Sequence, residues 1–503
     1  MSFIEHLAPL RAQPGHRLTA GLDDATLERL AAGHPQLVAA VEAAGAEFAR
    51  AVAELQEAGL GALLTLDEPS QVEAMQDGFI NFYADDAVTP YVAFVARGPW
   101  VVTLKGAVLY DAGGYGMLGF GHTPQAVLDA MARPQVMANI MTPSLSQQRF
   151  VGALRREIGH RRGGCPFARF MCLNSGSEAV GLAARIADVN SKLQTDPGAP
   201  HAGATVKRVV IKGSFHGRTD RPALYSDSSR RTYQQHLASY RDETSVIALA
   251  PYDEAALRQV FDDAARNQWF IEAVFLEPVM GEGDPGRSVP AAFYALAREL
   301  TRAHGSLLLV DSIQAGLRAH GVLSVVDYPG FEGLDPPDME TYSKALNAAQ
   351  YPLSVLAVNE RAAQLYRKGI YGNTMTANPR ALDVACATLA QLTPQVRANI
   401  TERGAEALQR LEALKKELGG LITRVQGTGL LFSCELAAGF KCYGAGSTEE
   451  WLRQHGINVI HGGENSLRFT PHFEMDSEEL ELLVSLVGKA LREGPRREEA
   501  AAA

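Results

Sequence analysis

A chain of 503 residues, 46% apolar and 21% charged, can bury a multi-domain core without disulfide or metal staples. Its formal charge of −10 and lack of any basic block exclude sequence-independent nucleic-acid binding, which needs clustered Lys and Arg against phosphate. Five cysteines without a CxxC pair, and no apolar run near the ~20 residues that span a bilayer, predict a soluble cytoplasmic protein with reduced thiols and no membrane partner.

In chain order, residues 1–90 read as a helical extension. Leu37, Val41, Ala44, Phe48, Val52 and Leu55 follow one face of a 3.6-residue period. From 91 to 145 the runs VAFVARG, WVVTL and AVLYD, broken by Gly and Pro, read as strands of a small domain and its linker. From 146 to 380 apolar strands alternate with helices, the strands falling at 168–174, 206–212, 246–250, 272–278, 305–311 and 353–358. Such strands predict an α/β large domain, its mostly parallel sheet covered by helices on both faces. From 381 to 503 long helices complete a smaller α+β domain built from both chain ends. The last helix starts at Asp476, with Glu479 as its capping-box partner.

Ligands of open α/β sheets sit at the carboxyl ends of the strands, and four such ends carry polar residues. In CLNSGSEAV a strand ends at Asn174 and a helix begins after Ser175, Gly176 and Ser177. Free N–H groups and the helix dipole suit a phosphate there, although Ser is also an ordinary N-cap. In IKGSFHGRTD, Phe215, His216 and Arg218 follow a strand; an aromatic ring there could lie on a flat cofactor or simply fill the core. Asp311 ends the most apolar strand, SLLLVD, where an ionised carboxylate needs a protonated pyridine nitrogen, an arginine or a metal. Lys344, in METYSKAL, is either a desolvated amine nucleophile or a snorkelling surface lysine. Taken together, a phosphate cradle, a stacking aromatic, a buried Asp and a reactive Lys meet the needs of pyridoxal phosphate. The GYGMLG run at Gly114–Gly119 matches GxGxxG, but no acidic residue closes a βαβ unit about 20 residues on. P-loop, HExxH and Cys/His zinc spacings are missing, so no metal is expected.

From about Tyr91 to Ala490 the sequence resembles the class III (ω-) aminotransferases, fold type I pyridoxal-phosphate enzymes. The ordered motifs AGGYGMLGFGHTPQAV, NSGSEAV, FHGRT, EPVMGEGD, LLVDSIQAG, SKAL, GNTMTANPRAL and SLRFTPHF carry that resemblance. It implies that Lys344 binds the cofactor covalently and shuttles the proton at the substrate Cα. Asp311 would hold the pyridine nitrogen protonated, Phe215 would stack on the ring, and Gln314 would contact its O3′ side. Ser175, Gly176 and Ser177 would bind the phosphate, with His216 beside the ring. Thr374 would reach the phosphate of a neighbouring subunit's cofactor, which makes the active unit a homodimer with shared sites. For substrates, the resemblance implies that Glu282 pairs with Arg468 and releases it to bind a 2-oxo acid carboxylate, 2-oxoglutarate above all. Arg218 matches an arginine that ornithine-type members use for a second carboxylate.

Several positions depart from the family pattern. DEVQTG becomes DSIQAG, so Ser312 replaces a carboxylate and Ala315 a hydroxyl residue. NAAQYPLS replaces a Gly-rich run after the lysine, and Asp311 lies 33 residues before Lys344, a few more than usual. The expected activity is a ping-pong transamination between an amino acid, ω-amino acid or amine and a 2-oxo acid. Its rivals are an aminomutase of the same fold and a catalytically silent homologue acting as a scaffold.

Overall fold

The computed structural model describes residues 2–241 and 243–497. It falls into two compact units. One takes in the described residues of Met1–Pro124, Ala405–Gln426 and Phe432–Ala503; the other comprises Gln125–Gly404 and Gly427–Leu431.

The second unit is built on a seven-stranded sheet. Its strands are β1 (Arg169–Leu173), β2 (Thr205–Ile211), β3 (Val246–Leu249), β4 (Trp269–Leu276), β5 (Leu307–Asp311), β6 (Met339–Tyr342) and β7 (Ser354–Val358). Their spatial order is β1-β7-β6-β5-β4-β2-β3. The pairs from β6 through β5, β4 and β2 to β3 are parallel, while β7 runs antiparallel to both β1 and β6. It follows that β1, β2, β4, β5 and β6 all end at one edge of the sheet. Every residue of β5, and all of β4 after Trp269, is buried, as strands covered by helices on both faces must be.

Helix α1 (Gly176–Thr195) shows why this chain folds so locally. Ala179, Leu182, Ala183 and Ile186 recur at helical spacing, and all are fully buried against Phe275, Leu309 and Leu356 of the sheet. Truncating Leu182 to alanine would cost about 2–5 kcal/mol.

The remaining strands form two four-stranded sheets. One has the order Ala93–Arg97, Trp100–Thr103, Val108–Asp111, Ile457–Asn458; the other runs Ile422–Thr428, Leu431–Leu436, Ser466–Phe469, Ile460–Gly462. The helix Pro35–Glu57 buries Leu37, Val41 and Ala44, while Phe48 is half-buried with its ring edge-on to Phe94. The helix Ser477–Glu493 opens on the capping box of Asp476 and Glu479, and it buries Leu480, Leu483, Val484, Val487 and Leu491.

Candidate active site

Because β1, β2, β4, β5 and β6 end at one edge, the segments 174–177, 212–218, 277–283, 311–314 and 343–344 converge there. The turn into α1 is fixed first. Ser175 Oγ accepts from Glu178 N at 3.3 Å, while Glu178 Oε2 accepts from Asn174 N at 2.8 Å and Ser175 N at 3.0 Å. The N–H groups of Gly176 and Ser177, in the first turn of α1, lack an intrahelical partner. Ser177 Oγ accepts from Arg218 N at 3.1 Å, which ties this turn to the one after β2. Gly217 makes that approach possible: its φ is +112°, and a Cβ there would lie 2.0 Å from Ser177 Oγ.

His216 and Asp311 form the buried centre. His216 Nδ1 lies 2.8 Å from Asp311 Oδ2, and its backbone N–H donates to Ser226 Oγ at 2.8 Å. Asp311 Oδ1 accepts from Thr341 Oγ1 at 3.0 Å and from Ile313 N at 3.2 Å. Next to them Glu277, also buried, accepts from the N–H groups of Phe215 and Gly281, each at 3.3 Å. Burial, and then the charge of Asp311, drives the Glu277 carboxyl well above its ordinary range. Gln314 is packed so closely on Gly281 that a Cβ on the glycine would lie 2.6 Å from Gln314 Cγ.

Arg218 stands over the Phe215 ring, its guanidinium carbon 5.2 Å from the centroid. Its Nη1 donates to Ser229 Oγ at 3.2 Å, and its Nη2 is 3.8 Å from Glu282 Oε1. Lys344 follows β6 by two residues and has φ +50°, a left-handed backbone on a non-glycine residue. Such strain persists where surrounding structure over-determines it, commonly at functional sites. The replacement for the Gly-rich run is left-handed as well, at Ala348 and Ala349.

Ser175, Gly176, Ser177, Phe215, His216, Arg218, Glu282, Asp311, Gln314 and Lys344 thus all lie in one unit, on segments at one sheet edge. Thr374 is in the same unit and exposed, next to Asn373, whose Nδ2 donates to Glu178 Oε1 at 2.7 Å. Arg468 belongs to the other unit. It is buried on the strand Ser466–Phe469, opposite Ser433 and Ile460. The sequence reading did not single out Glu277, Thr341, Glu178 or Asn373. A signal existed for Glu178, since Ser175-x-x-Glu178 is a capping box; for the others, only the fold supplies it.

These residues fit a phosphorylated pyridine. A helix-opening turn at Gly176 and a buried acid, Asp311, lie on segments at the same sheet edge, and Gln314 Oε1 and His216 Nε2 are buried with no hydrogen-bond partner among the described residues. Among the same residues no cluster of His, Cys, Asp or Glu is arranged to hold a metal ion.

Comparison with known proteins agrees with this geometry. Residues 82–491 match the family profile described as "Aminotransferase class-III". The acetylornithine aminotransferase of Xanthomonas axonopodis pv. citri is 30% identical over 314 residues, which are 62% of this chain and 71% of that protein. Among solved structures, an ornithine aminotransferase of Toxoplasma gondii, described with partial occupancy of PLP, superposes with a TM-score of 0.71 at 23% identity, covering 87% of this chain and 97% of the other. The acetylornithine aminotransferase of Elizabethkingia anophelis gives a TM-score of 0.66 at 22% identity, over 85% of this chain and all of the other.

Proposed function

Because the chain belongs to the class III aminotransferases, and is a pyridoxal-phosphate-dependent transaminase, we propose that its donor is an amino acid bearing a terminal amine, of the ornithine or acetylornithine type. The acceptor in this reading is 2-oxoglutarate. The observation that carries it is Arg218, half-exposed beside Phe215 with Glu282 3.8 Å away as a loose counter-charge. A substrate carboxylate can displace Glu282 and take the guanidinium bidentately. The names of the relatives point the same way.

When bound, pyridoxal phosphate supplies an electron sink for charge developing at the substrate Cα or terminal carbon. The chain's residues do the rest. Gly176 and Ser177 bind the phosphate through their N–H groups and the Ser177 hydroxyl. Asp311, with His216 and Thr341 fixing both of its oxygens, holds a proton at the pyridine nitrogen. Phe215 orients the ring, and Gln314 donates or accepts at its hydroxyl side. Lys344 anchors the cofactor and moves the proton to and from the reacting carbon.

The active unit is a homodimer in this reading, Thr374 completing a neighbour's phosphate site. Thr374 lines a cavity of about 690 Å³ together with Ile140 and Met141, and Ile140, Met141 and Met375 are all exposed apolar side chains, which supports a covered surface there. We place the protein in the cytoplasm: its five cysteines are unpaired, and burial pushes the Cys172 and Cys434 thiols up to about 12. No described helix is long and apolar enough to cross a membrane.

Single-turnover spectroscopy of the donor half-reaction tests the substrate assignment. Ornithine and N-acetylornithine should react with the wild type, and Arg218→Ala should slow both by roughly 10- to 150-fold, the worth of one charge-assisted bidentate contact. A diamine lacking the carboxylate should be nearly unaffected by the substitution. Equal losses with both kinds of donor would reject Arg218 as the carboxylate site.

A further inference from the structure

Ser312 stands where the family resemblance expects an acid, and the structure shows where a carboxylate is found instead. Ser312 Oγ donates to Glu340 Oε1 at 2.6 Å. Glu340 Oε1 also accepts from Val325 N at 2.9 Å, and Oε2 accepts from Ser324 Oγ at 2.5 Å. Glu340, Ser312 and Ser324 are all at most 1% exposed. No ion pair reaches Glu340 among the described residues; the Ser312 and Ser324 hydroxyls and the Val325 N–H hold its carboxylate, with the Tyr342 hydroxyl beside it.

The register explains what such an acid does. Glu340 lies in β6 opposite Val310, and its neighbour Thr341 lies opposite Asp311. Alternation along a strand sends these two side chains to opposite faces. On one face, Thr341 Oγ1 holds Asp311; on the other, Glu340 holds Ser312, the residue after Asp311, whose N–H donates to Thr341 O at 3.0 Å. Four residues beyond Glu340 the same strand delivers Lys344. An interior strand position could carry Val or Ile without desolvating a carboxylate.

We propose that Glu340 is a positioning residue of the active site, a carboxylate relocated from position 312 to the adjacent strand, where it locks the Asp311–Gln314 segment to the strand leading into Lys344. The inference rests on assigning Asp311 and Lys344 to the cofactor. Burial also raises the Glu340 carboxyl to about 7. The titratable groups acting on it are Tyr342 on its own strand, Tyr294 on the helix Ala291–His304, Tyr328 and Cys165; burial pushes each of them upward, so none carries charge near neutrality.

The test exchanges the two contacting residues. Borohydride reduction of the wild-type holoenzyme comes first; if the cofactor is fixed to a lysine other than Lys344, the site assignment itself fails, whatever Glu340 does. With Lys344 established, Glu340→Ser strands three donors. It should weaken pyridoxal phosphate affinity by roughly tenfold or more and alter the pH dependence of the holoenzyme's visible spectrum. The double variant Ser312→Glu/Glu340→Ser returns one carboxylate to the pair and should recover affinity to within about threefold of wild type. Glu340→Ser that is folded, with wild-type affinity and wild-type spectral titration, would overturn the proposal, whatever its melting temperature. So would an exchange variant no better than Glu340→Ser. Should Glu340→Ser not fold, a folded, cofactor-binding exchange variant supports the proposal and an unfolded one overturns it.

Discussion

Replacing Gly217 by alanine should loosen the hold on the cofactor phosphate far more than the same change at Gly176. At 217 the added Cβ would lie 2.0 Å from Ser177 Oγ and 3.0 Å from Ser177 Cβ, on a backbone with φ +112°. An L-residue held in that region is strained by about 1–3 kcal/mol. Ser177 must also swing away and lose the bond from Arg218 N, worth about 1 kcal/mol. The total, about 2–4 kcal/mol, falls on the turn proposed to hold the phosphate. Expressed as binding, it corresponds to roughly 30- to 900-fold. At 176, by contrast, the new Cβ would meet Ile313 Cδ1 at 2.6 Å, the far end of a side chain that can rotate, so the loss should stay near 1 kcal/mol. Titrating each apoprotein with pyridoxal phosphate, followed by absorbance, gives both affinities, and melting of the apoproteins reports the part spent on folding. Gly217→Ala that binds within about threefold of wild type would refute the reasoning. So would a Gly176→Ala defect as large as its own.

Three further outcomes are expected. Ala349 is exposed with φ +58°, so Ala349→Gly should be neutral or stabilising by about 0.5 kcal/mol, whereas Ala349→Val should lose more than about 1 kcal/mol; a neutral valine in urea denaturation would show that the loop is not left-handed. Burial alone would depress the His472 imidazole, but Glu479 at 3.0 Å outweighs it and raises the pKa above 6.5. That contribution is complete below pH 6.5 and fades as pH climbs through the folded value, so the urea midpoint should drop between pH 6 and 8, and Glu479→Gln should flatten the slope; an unchanged slope in that variant would reject the pair as its source. Lys344→Ala and Thr374→Ala chains, each inactive or impaired alone, should complement one another in mixed dimers, and activity no higher than the parents' after verified subunit exchange would remove shared sites.

The local part of this protein was legible from the residues in order. The apolar stripe of α1, the Asp476–Glu479 cap and the continuous apolar strands are periodic patterns acting over a few residues. They therefore show which segments are helix or strand and which strand ends carry chemistry. Even the rigidity of the turn into α1 was readable in principle, since Ser175 and Glu178 are three residues apart. What only the tertiary structure decided are contacts whose partners are remote in sequence. His216 reaches Asp311 across 95 residues and Asn373 reaches Glu178 across 195; Arg218 turned out to face Glu282 within its own unit. Ser312 alone read as a lost acid. Only the pairing of β5 with β6, which sets Glu340 opposite Val310 and its carboxylate on the Ser312 hydroxyl, shows the charge one strand away. The sheet order β1-β7-β6-β5-β4-β2-β3 creates that neighbourhood, and it follows from burying both faces of the whole sheet at once, a global condition that no short window of residues contains.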